Sequence, residues 1–276
     1  MLQFTVNQER CIRCGWCAKD CPAGIIEQQG KDLPRILPEK EENCLQCQHC
    51  LAVCPKGAVA ILGRNPDDSI ALAAHSFPKL EALSRFVRGR RSVRHYRDEN
   101  VDPALLRQVL TTLANVPTGV NRRGLTFSVI DDKAVMQRFR ERSQRALAAA
   151  HSAGRIPERL AYLGSIVERT RDTGRDIVLR GAPHALVVSA PPDAPCAYED
   201  VILALAYFEL LAQSAGLGTV WCGLMKLTLA VLPELKADVG LPADHVYYCM
   251  LFGYPAIRFA RTVQRDDAAQ VRRVTL

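Results

Sequence analysis

The sequence predicts a two-part α+β protein: a small cysteine-rich module at the N-terminus, then a mixed helix-and-strand domain of ordinary size. Three observations carry this. Eight of the eleven cysteines fall in residues 11–22 and 44–55, as two copies of one pattern. A turn- and charge-rich stretch, GRNPDDS at 63–69, follows the second copy and marks a linker. From about residue 80 onward, helical and strand periodicities alternate. The 276 residues suffice for one small module and one domain with a full core. A composition of 48% hydrophobic and 24% charged residues is ordinary for a soluble globular protein. The expected boundaries are 1–63 for the module, 64–81 for the linker and 82–276 for the second domain.

The module is read from its cysteines. CIRCGWCAKDCP (11–22) and CLQCQHCLAVCP (44–55) share the spacing C-x2-C-x2-C-x3-C-P. This is the ligand run of bacterial two-cluster ferredoxins. Three thiolates at such spacing wrap three corners of a cubane, and the proline turns the chain away. Zinc is the competing reading, since paired C-x2-C elements build zinc ribbons. Zinc takes four ligands as two pairs, so the third cysteine of each triplet would be surplus, twice over. CPAGII at 21–26 also matches CPKGAVAI at 54–61. Residues 1–62 are thus an internal repeat whose halves are too small to hold a core without clusters. In two-cluster ferredoxins the fourth cysteine of each run ligates the other cluster. The resemblance therefore implies one 4Fe–4S cluster on Cys11, Cys14, Cys17 and Cys54, and another on Cys44, Cys47, Cys50 and Cys21.

In the second domain, residues 102–115 carry an Asp N-cap, Pro at the first helical position and apolar residues at helical spacing. LTFSVID at 125–131 alternates as a strand, and residues 133–150 read as a helix with one basic face. HALVVSA at 184–190 reads as a buried strand, and residues 200–216 as a capped helix ending at glycine. TVWCGL (219–224) and HVYYCMLFGYP (245–255) read as further strands. The most apolar stretch, residues 201–215, is too short to span a bilayer and contains Glu209. The N-terminus shows no secretory h-region. Cys196, Cys222 and Cys249, an odd and widely spaced set, read as buried thiols, so a reducing, cytoplasmic location is expected. The net charge of +7 sits in arginine clusters at 85–97 and 138–145, with no zinc finger or RNA-binding aromatic motif. Neither a nucleic acid nor a membrane is expected as partner. A bound anionic cofactor or an acidic redox partner explains the charge as well.

Four motifs of this domain bear on chemistry. RRSVRHY at 90–96 places arginines at alternate positions of an extended segment, which suits a phosphate. A solvated basic run or a docking patch is the other reading. PTGVNRR at 117–123 is a loop of small residues, GLGTVWCG at 216–223 is glycine-rich at a strand edge, and GYPAIRFARTVQR at 253–265 ends in spaced arginines. In this order the four resemble the nitroreductase family of FMN flavoproteins, over residues 82–276. The resemblance implies a nitroreductase-type FMN-binding α+β fold and an intertwined homodimer with one FMN at each subunit interface. It also implies Arg90, Ser92 and Arg94, with Arg91 as companion, at the FMN phosphate or ribityl chain. Thr118, Gly119 and Asn121 fall in a loop that reaches FMN. Trp221, Cys222, Gly223 and Leu224 fall along the isoalloxazine ring, and Arg265, with Arg261 beside it, at the phosphate. Arg122-Arg123-Gly124 departs from the family's frequent Gln-Pro-Trp, and Arg265-Asp266-Asp267 from its usual Arg-Lys-Pro. No side chain is nominated as catalytic; Cys222 reads as a spectator thiol and His184 as a satisfied core histidine.

The dinucleotide fingerprint G-x-G-x-x-G follows no strand, which leaves NAD(P)H open as a transient hydride donor. The whole chain resembles ferredoxin–nitroreductase fusions. The expectation is an FMN oxidoreductase: single electrons arrive from a ferredoxin-type donor through two clusters. They leave in pairs to an electron-poor small molecule, such as a nitro group, a quinone or an activated double bond. The alternatives are an electron-transfer or flavin-handling protein with no dedicated substrate, and a zinc protein with a degenerate flavin domain. Residues 136–180, rich in basic side chains, are the expected lid and suggest an anionic substrate.

Overall fold

The computed structural model describes residues 2–265 and 269–276; Asp266 and Asp267 lie outside them. The chain forms two compact units, Met1–Pro78 with Val120–Arg122, and Lys79–Gly119 with Arg123–Leu276.

The first unit follows the repeat. β1 (Thr5–Val6) pairs antiparallel with β4 (Val59–Ala60), and β2 (Ile26–Glu27) with β3 (Arg35–Ile36). One-turn helices α1 (Trp16–Lys19) and α2 (His49–Ala52) start at equivalent points of the two cysteine runs. Each is preceded by two left-handed residues, Arg13 (φ 56) and Gly15 (φ 76) in one run, Gln46 (φ 52) and Gln48 (φ 60) in the other. Such residues curl a short loop around its own interior and leave its N–H groups facing inward. The apolar core is small, with Leu2, Ile25, Ile26, Leu51, Val59 and Ile61 buried beside Cys17 and Cys50. A core of this size is marginal without a bound group to complete it.

The second unit is built on a four-stranded antiparallel sheet in the order β5 (Thr126–Ile130), β6 (His184–Ala190), β8 (Val246–Gly253), β7 (Gly218–Trp221). β6 is buried at every position, and its alternation divides the domain's core. Ala185 and Val187 pack toward α5 (Lys133–Ser152), α6 (Tyr162–Thr173) and α8 (Gly223–Val231). Leu186, Val188 and Ala190 pack toward α4 (Pro103–Thr112) and α7 (Ala197–Ser214). The sheet is thus covered on both faces, as its continuous apolar strands require. α3 (Leu80–Gly89) has no buried residue. Among the described residues no helix is long and apolar enough to cross a membrane.

Three departures from the sequence expectation bear on the site. α4 ends at Thr112 and tightens into a 3-10 turn over Leu113–Asn115, while Asp102 caps it by accepting from the Ala104 N–H at 2.8 Å. α7 starts at Ala197, before the expected 200, so the Asp200 carboxylate lies within its first turn. The strand expected at 219–224 stops at Trp221. Cys222 becomes the N-cap of α8, its sulphur accepting from the Met225 N–H at 3.4 Å.

Candidate functional site

Two cavities in the first unit gather the eight cysteines of the runs. One is lined by Cys11, Cys14, Cys17 and Cys54, the other by Cys21, Cys44, Cys47 and Cys50. Each joins three cysteines of one run to the fourth of the other. Four sulphur donors at the mouth of one cavity are the donor set that an iron–sulphur cubane requires. The Ala58 N–H donates to Cys54 Sγ at 3.1 Å and the Gln46 N–H to Cys44 Sγ at 3.4 Å. Hydrogen bonds of this kind help to set a bound cluster's potential. Burial pushes the Cys50 thiol up to about 12 and raises Cys17 as well. Loading these cavities therefore displaces protons that neutral solution alone would not remove.

In the second unit, α7 organises the polar residues. Glu209, buried in the middle of a largely apolar helix, accepts from Arg90 Nη1 at 3.0 Å, Trp221 Nε1 at 3.1 Å and Thr219 Oγ1 at 3.4 Å. One turn on, Gln213 donates to the Arg91 carbonyl at 3.2 Å and to Thr219 Oγ1 at 2.9 Å. The Val93 N–H donates to the Thr219 carbonyl at 2.8 Å, and the Arg97 N–H to the Tyr254 carbonyl at 2.9 Å. RRSVRHY, TVWCG and GYP are therefore brought side by side. Arg90 is held at the end of α3, Arg91 Nη2 turns back to the Arg88 carbonyl at 2.6 Å, and Arg94 is exposed with Nη1 at 3.4 Å from the Ser92 carbonyl. Arg261 and Arg265 are exposed and make no side-chain hydrogen bond or ion pair with another described residue.

The 117–123 loop is pinned separately. The Gly119 N–H donates to both oxygens of Asp200, at 3.0 and 3.2 Å, and Thr118 Oγ1 accepts from the Arg123 N–H at 3.0 Å. A Cβ on Gly119 would stand 2.8 Å from Cys196 Sγ, so only glycine fits this approach. Asn121, which belongs to the first unit, donates from Nδ2 to the Leu45 carbonyl at 2.8 Å. Cys222 is buried, its thiol donates to the Val178 carbonyl at 3.3 Å, and burial pushes it up to about 11. A thiol so placed is neutral and inert at physiological pH. Gly223 and Leu224 open α8, and Trp221 meets the Tyr248 ring edge-on at 5.5 Å. His184 Nε2 accepts from the Val101 N–H at 3.0 Å within the core. Sequence reasoning noted Glu209 only as a charge in an apolar stretch and passed over Asp200, Gln213 and Lys226. Lys226 lies over the Tyr198 and Tyr248 rings at 5.1 and 5.0 Å. A carboxylate in a buried helix needs compensating partners, and that was the available signal for Glu209.

The nitroreductase family model matches residues 87–254, which contain RRSVRHY, the pinned loop and the Trp221–Leu224 segment. The chain belongs to the nitroreductase family. The 4Fe-4S dicluster domain matches residues 10–59, both cysteine runs included. The chain is 28% identical over 144 residues to the iodotyrosine deiodinase of Thermotoga neapolitana, covering 51% of this chain and 73% of that protein. Its fold is similar to a nitroreductase with bound FMN from Bacteroides fragilis, at 24% identity and a TM-score of 0.55, over 70% of this chain and 99% of that one. A nitroreductase with bound FMN from Desulfitobacterium hafniense is similar at 22% identity and a TM-score of 0.55, over 71% of this chain and all of that one. The nitroreductases are flavin-dependent oxidoreductases, and so is this chain; FMN and 4Fe–4S clusters are the cofactors of the two domains it combines.

Proposed function

We propose that this nitroreductase is driven by a ferredoxin-type donor and reduces an electron-poor small molecule carrying a nitro group, a quinone or an activated double bond. The observation that carries this is the union in one chain of two four-cysteine cavities with a nitroreductase domain. When bound, the clusters supply one-electron transfer and FMN supplies the conversion to electron pairs. The protein's own part is binding and orientation. Arg90, Ser92 and Arg94, with Arg91 behind them, hold the FMN phosphate and ribityl chain, and Arg261 and Arg265 close on it from the C-terminal segment. Thr118, Gly119 and Asn121 bring backbone and amide groups to FMN, and the segment from Trp221 to Leu224 lies along its ring. These contacts come from two subunits of a homodimer. Residues 1–63 are the ferredoxin-type domain, 64–81 a linker and 82–276 the flavin domain.

Two observations bear on the substrate. A cleft between α5 and α6 has apolar walls at Leu147, Ile166, Val178 and Leu179, with Arg145 and Arg171 at its rim. This combination suits an amphipathic anion. The identity with an iodotyrosine deiodinase adds a halogenated aromatic to the class to be assayed. The test compares the full chain with a Cys14→Ser/Cys47→Ser variant, each cavity having lost one ligand. Under anaerobic conditions, reduced ferredoxin should bleach the flavin absorbance of the wild type and not of the variant. Dithionite, which reaches the flavin directly, should bleach both. Equal bleaching of the two proteins by ferredoxin would show that the cysteine module is no wire.

A further inference from the structure

We propose that the face around Cys14 is the docking surface for an acidic one-electron carrier protein, so that electrons enter at the Cys11/Cys14/Cys17/Cys54 cavity and not at the other. This rests on the donor reading above. The two halves of the repeat are alike in cysteine spacing and differ in the side chains that reach solvent around the first and third cysteines. Cys14 is exposed, while its counterpart Cys47 is partly buried. Ile12 and Trp16, flanking Cys14, are 58% and 53% exposed, an apolar pair on the rim of a cavity. Leu45, the counterpart of Ile12, is partly buried, and its carbonyl is taken by Asn121.

Charge divides the halves in the same way. The first cavity is lined by Arg13 and Lys56, both exposed, and by no carboxylate. At the equivalent repeat positions stand the uncharged Gln46 and Ala23. Arg13 also borders a surface cleft shared with Lys31 and Arg35. Within that cleft Glu27 is taken by Lys40 at 2.6 Å, which leaves Asp32 as the counter-charge not ion-paired to a described residue. An exposed apolar centre ringed by cations meets a partner with an apolar tip ringed by carboxylates, and the field accelerates their encounter. The step is one electron: the carrier is oxidised by one, the iron–sulphur module is reduced by one, and no bond forms or breaks.

The repeat itself supplies the variants. Arg13→Gln and Lys56→Ala install the residues that stand at the equivalent repeat positions, Gln46 and Ala23, the first of them at a left-handed site in both runs. Binding of an acidic ferredoxin to the full holoprotein is measured by calorimetry at low and high salt, with iron content as the check on cluster retention. The wild type should bind more weakly as salt rises, and Arg13→Gln/Lys56→Ala should weaken low-salt binding about tenfold and flatten the salt dependence. If that variant loses iron, Trp16→Ala serves in its place and should weaken binding at both salt concentrations. Unchanged binding in iron-replete variants overturns the surface assignment and leaves ferredoxin-driven reduction standing. A change of oligomeric mass in Trp16→Ala would also overturn it, by making the patch a contact between copies of the chain. A wild type that no acidic ferredoxin binds or reduces, but that dithionite reduces, refutes the donor reading itself.

Discussion

Arg90 stands at the point where a ligand role and a structural role predict different numbers. Its Nη1 lies 3.0 Å from Glu209 Oε1, with the arginine side chain 29% exposed and the carboxylate 9%. At charge separations near 4 Å and an effective dielectric of about 20, the Coulomb attraction is about 4 kcal/mol before desolvation is subtracted. Exposed pairs net roughly 0–1 kcal/mol, whereas breaking a fully buried pair costs about 3–5 kcal/mol. The partly exposed guanidinium places this pair between them, at about 1–3 kcal/mol. Both Arg90→Ala and Glu209→Gln should therefore lower the melting temperature of the domain, by about 2–12 °C at roughly 2–4 °C per kcal/mol. Only one Arg90 nitrogen is committed to Glu209, and the rest of the fork remains for a phosphate. If those donors hold FMN, Arg90→Ala should weaken FMN binding about ten- to a hundredfold, since a charge-assisted hydrogen bond is worth about 1.5–3 kcal/mol. Glu209→Gln, which keeps the arginine, should weaken it by less than about threefold, or about 0.6 kcal/mol. Fluorescence titration of FMN into each apoprotein and thermal melts of the full chain give the two readouts. Equal loss of stability in both variants with unaltered FMN affinity in Arg90→Ala would make Arg90 a partner of Glu209 and nothing more.

Two further outcomes follow from the cavities and the buried thiols. Cys21→Ser should impair the cluster held with Cys44, Cys47 and Cys50, and Cys54→Ser the cluster held with Cys11, Cys14 and Cys17, each removing up to about half the iron. Electron paramagnetic resonance of the reduced variants should show different surviving signals, and identical ones would contradict the exchange of fourth ligands. Burial raises both Cys222 and Cys249, so at about pH 8 the thiolate fraction of each is small and iodoacetamide should leave both unmodified in the folded protein. Peptide mapping checks this, and modification of Cys222 at the rate seen in urea would make it a reactive centre.

The module was legible because cluster ligation imposes its spacing on the chain: two identical runs mean two identical loops, down to the left-handed positions at Arg13 and Gln46. Strands were legible where burial makes periodicity plain, as for His184–Ala190, which the structure bounds as the sequence did. Helix starts were less so. The expected start at Asp200 rested on cap chemistry, but that carboxylate is claimed by Gly119, across 81 positions in sequence, and the helix begins without a side-chain cap. The end of β7 was missed for a related reason. Val220, Trp221 and Cys222 all favour strands, yet Cys222 caps α8, and no local pattern announces a sulphur in that role. Arg90's partner was equally hidden, since the pairing spans 119 residues.

The missed residues have a common logic. The segments proposed to meet FMN come from four places in the chain, three of which α7 reaches, and a flavin can be held only if their spacing is fixed before it binds. α7 does the fixing. Asp200 in its first turn anchors the Gly119 loop, and Glu209 and Gln213 in its later turns anchor Arg90, the Arg91 carbonyl, Thr219 and Trp221. At 1.5 Å per residue, the nine residues from Asp200 to Glu209 set these anchors about 13.5 Å apart along a helix axis. The apolar remainder of α7, with Val201, Leu205, Phe208 and Ala212 buried, locks that axis against the sheet. A rigid helix thus holds three polar segments as one surface of fixed spacing, which lowers the ordering entropy left for the ligand to meet. Asp200 and Glu209 are buried and Gln213 half-buried, and all three are engaged by residues outside the helix. In the sequence they read as interruptions of a hydrophobic helix because their partners lie elsewhere in the chain.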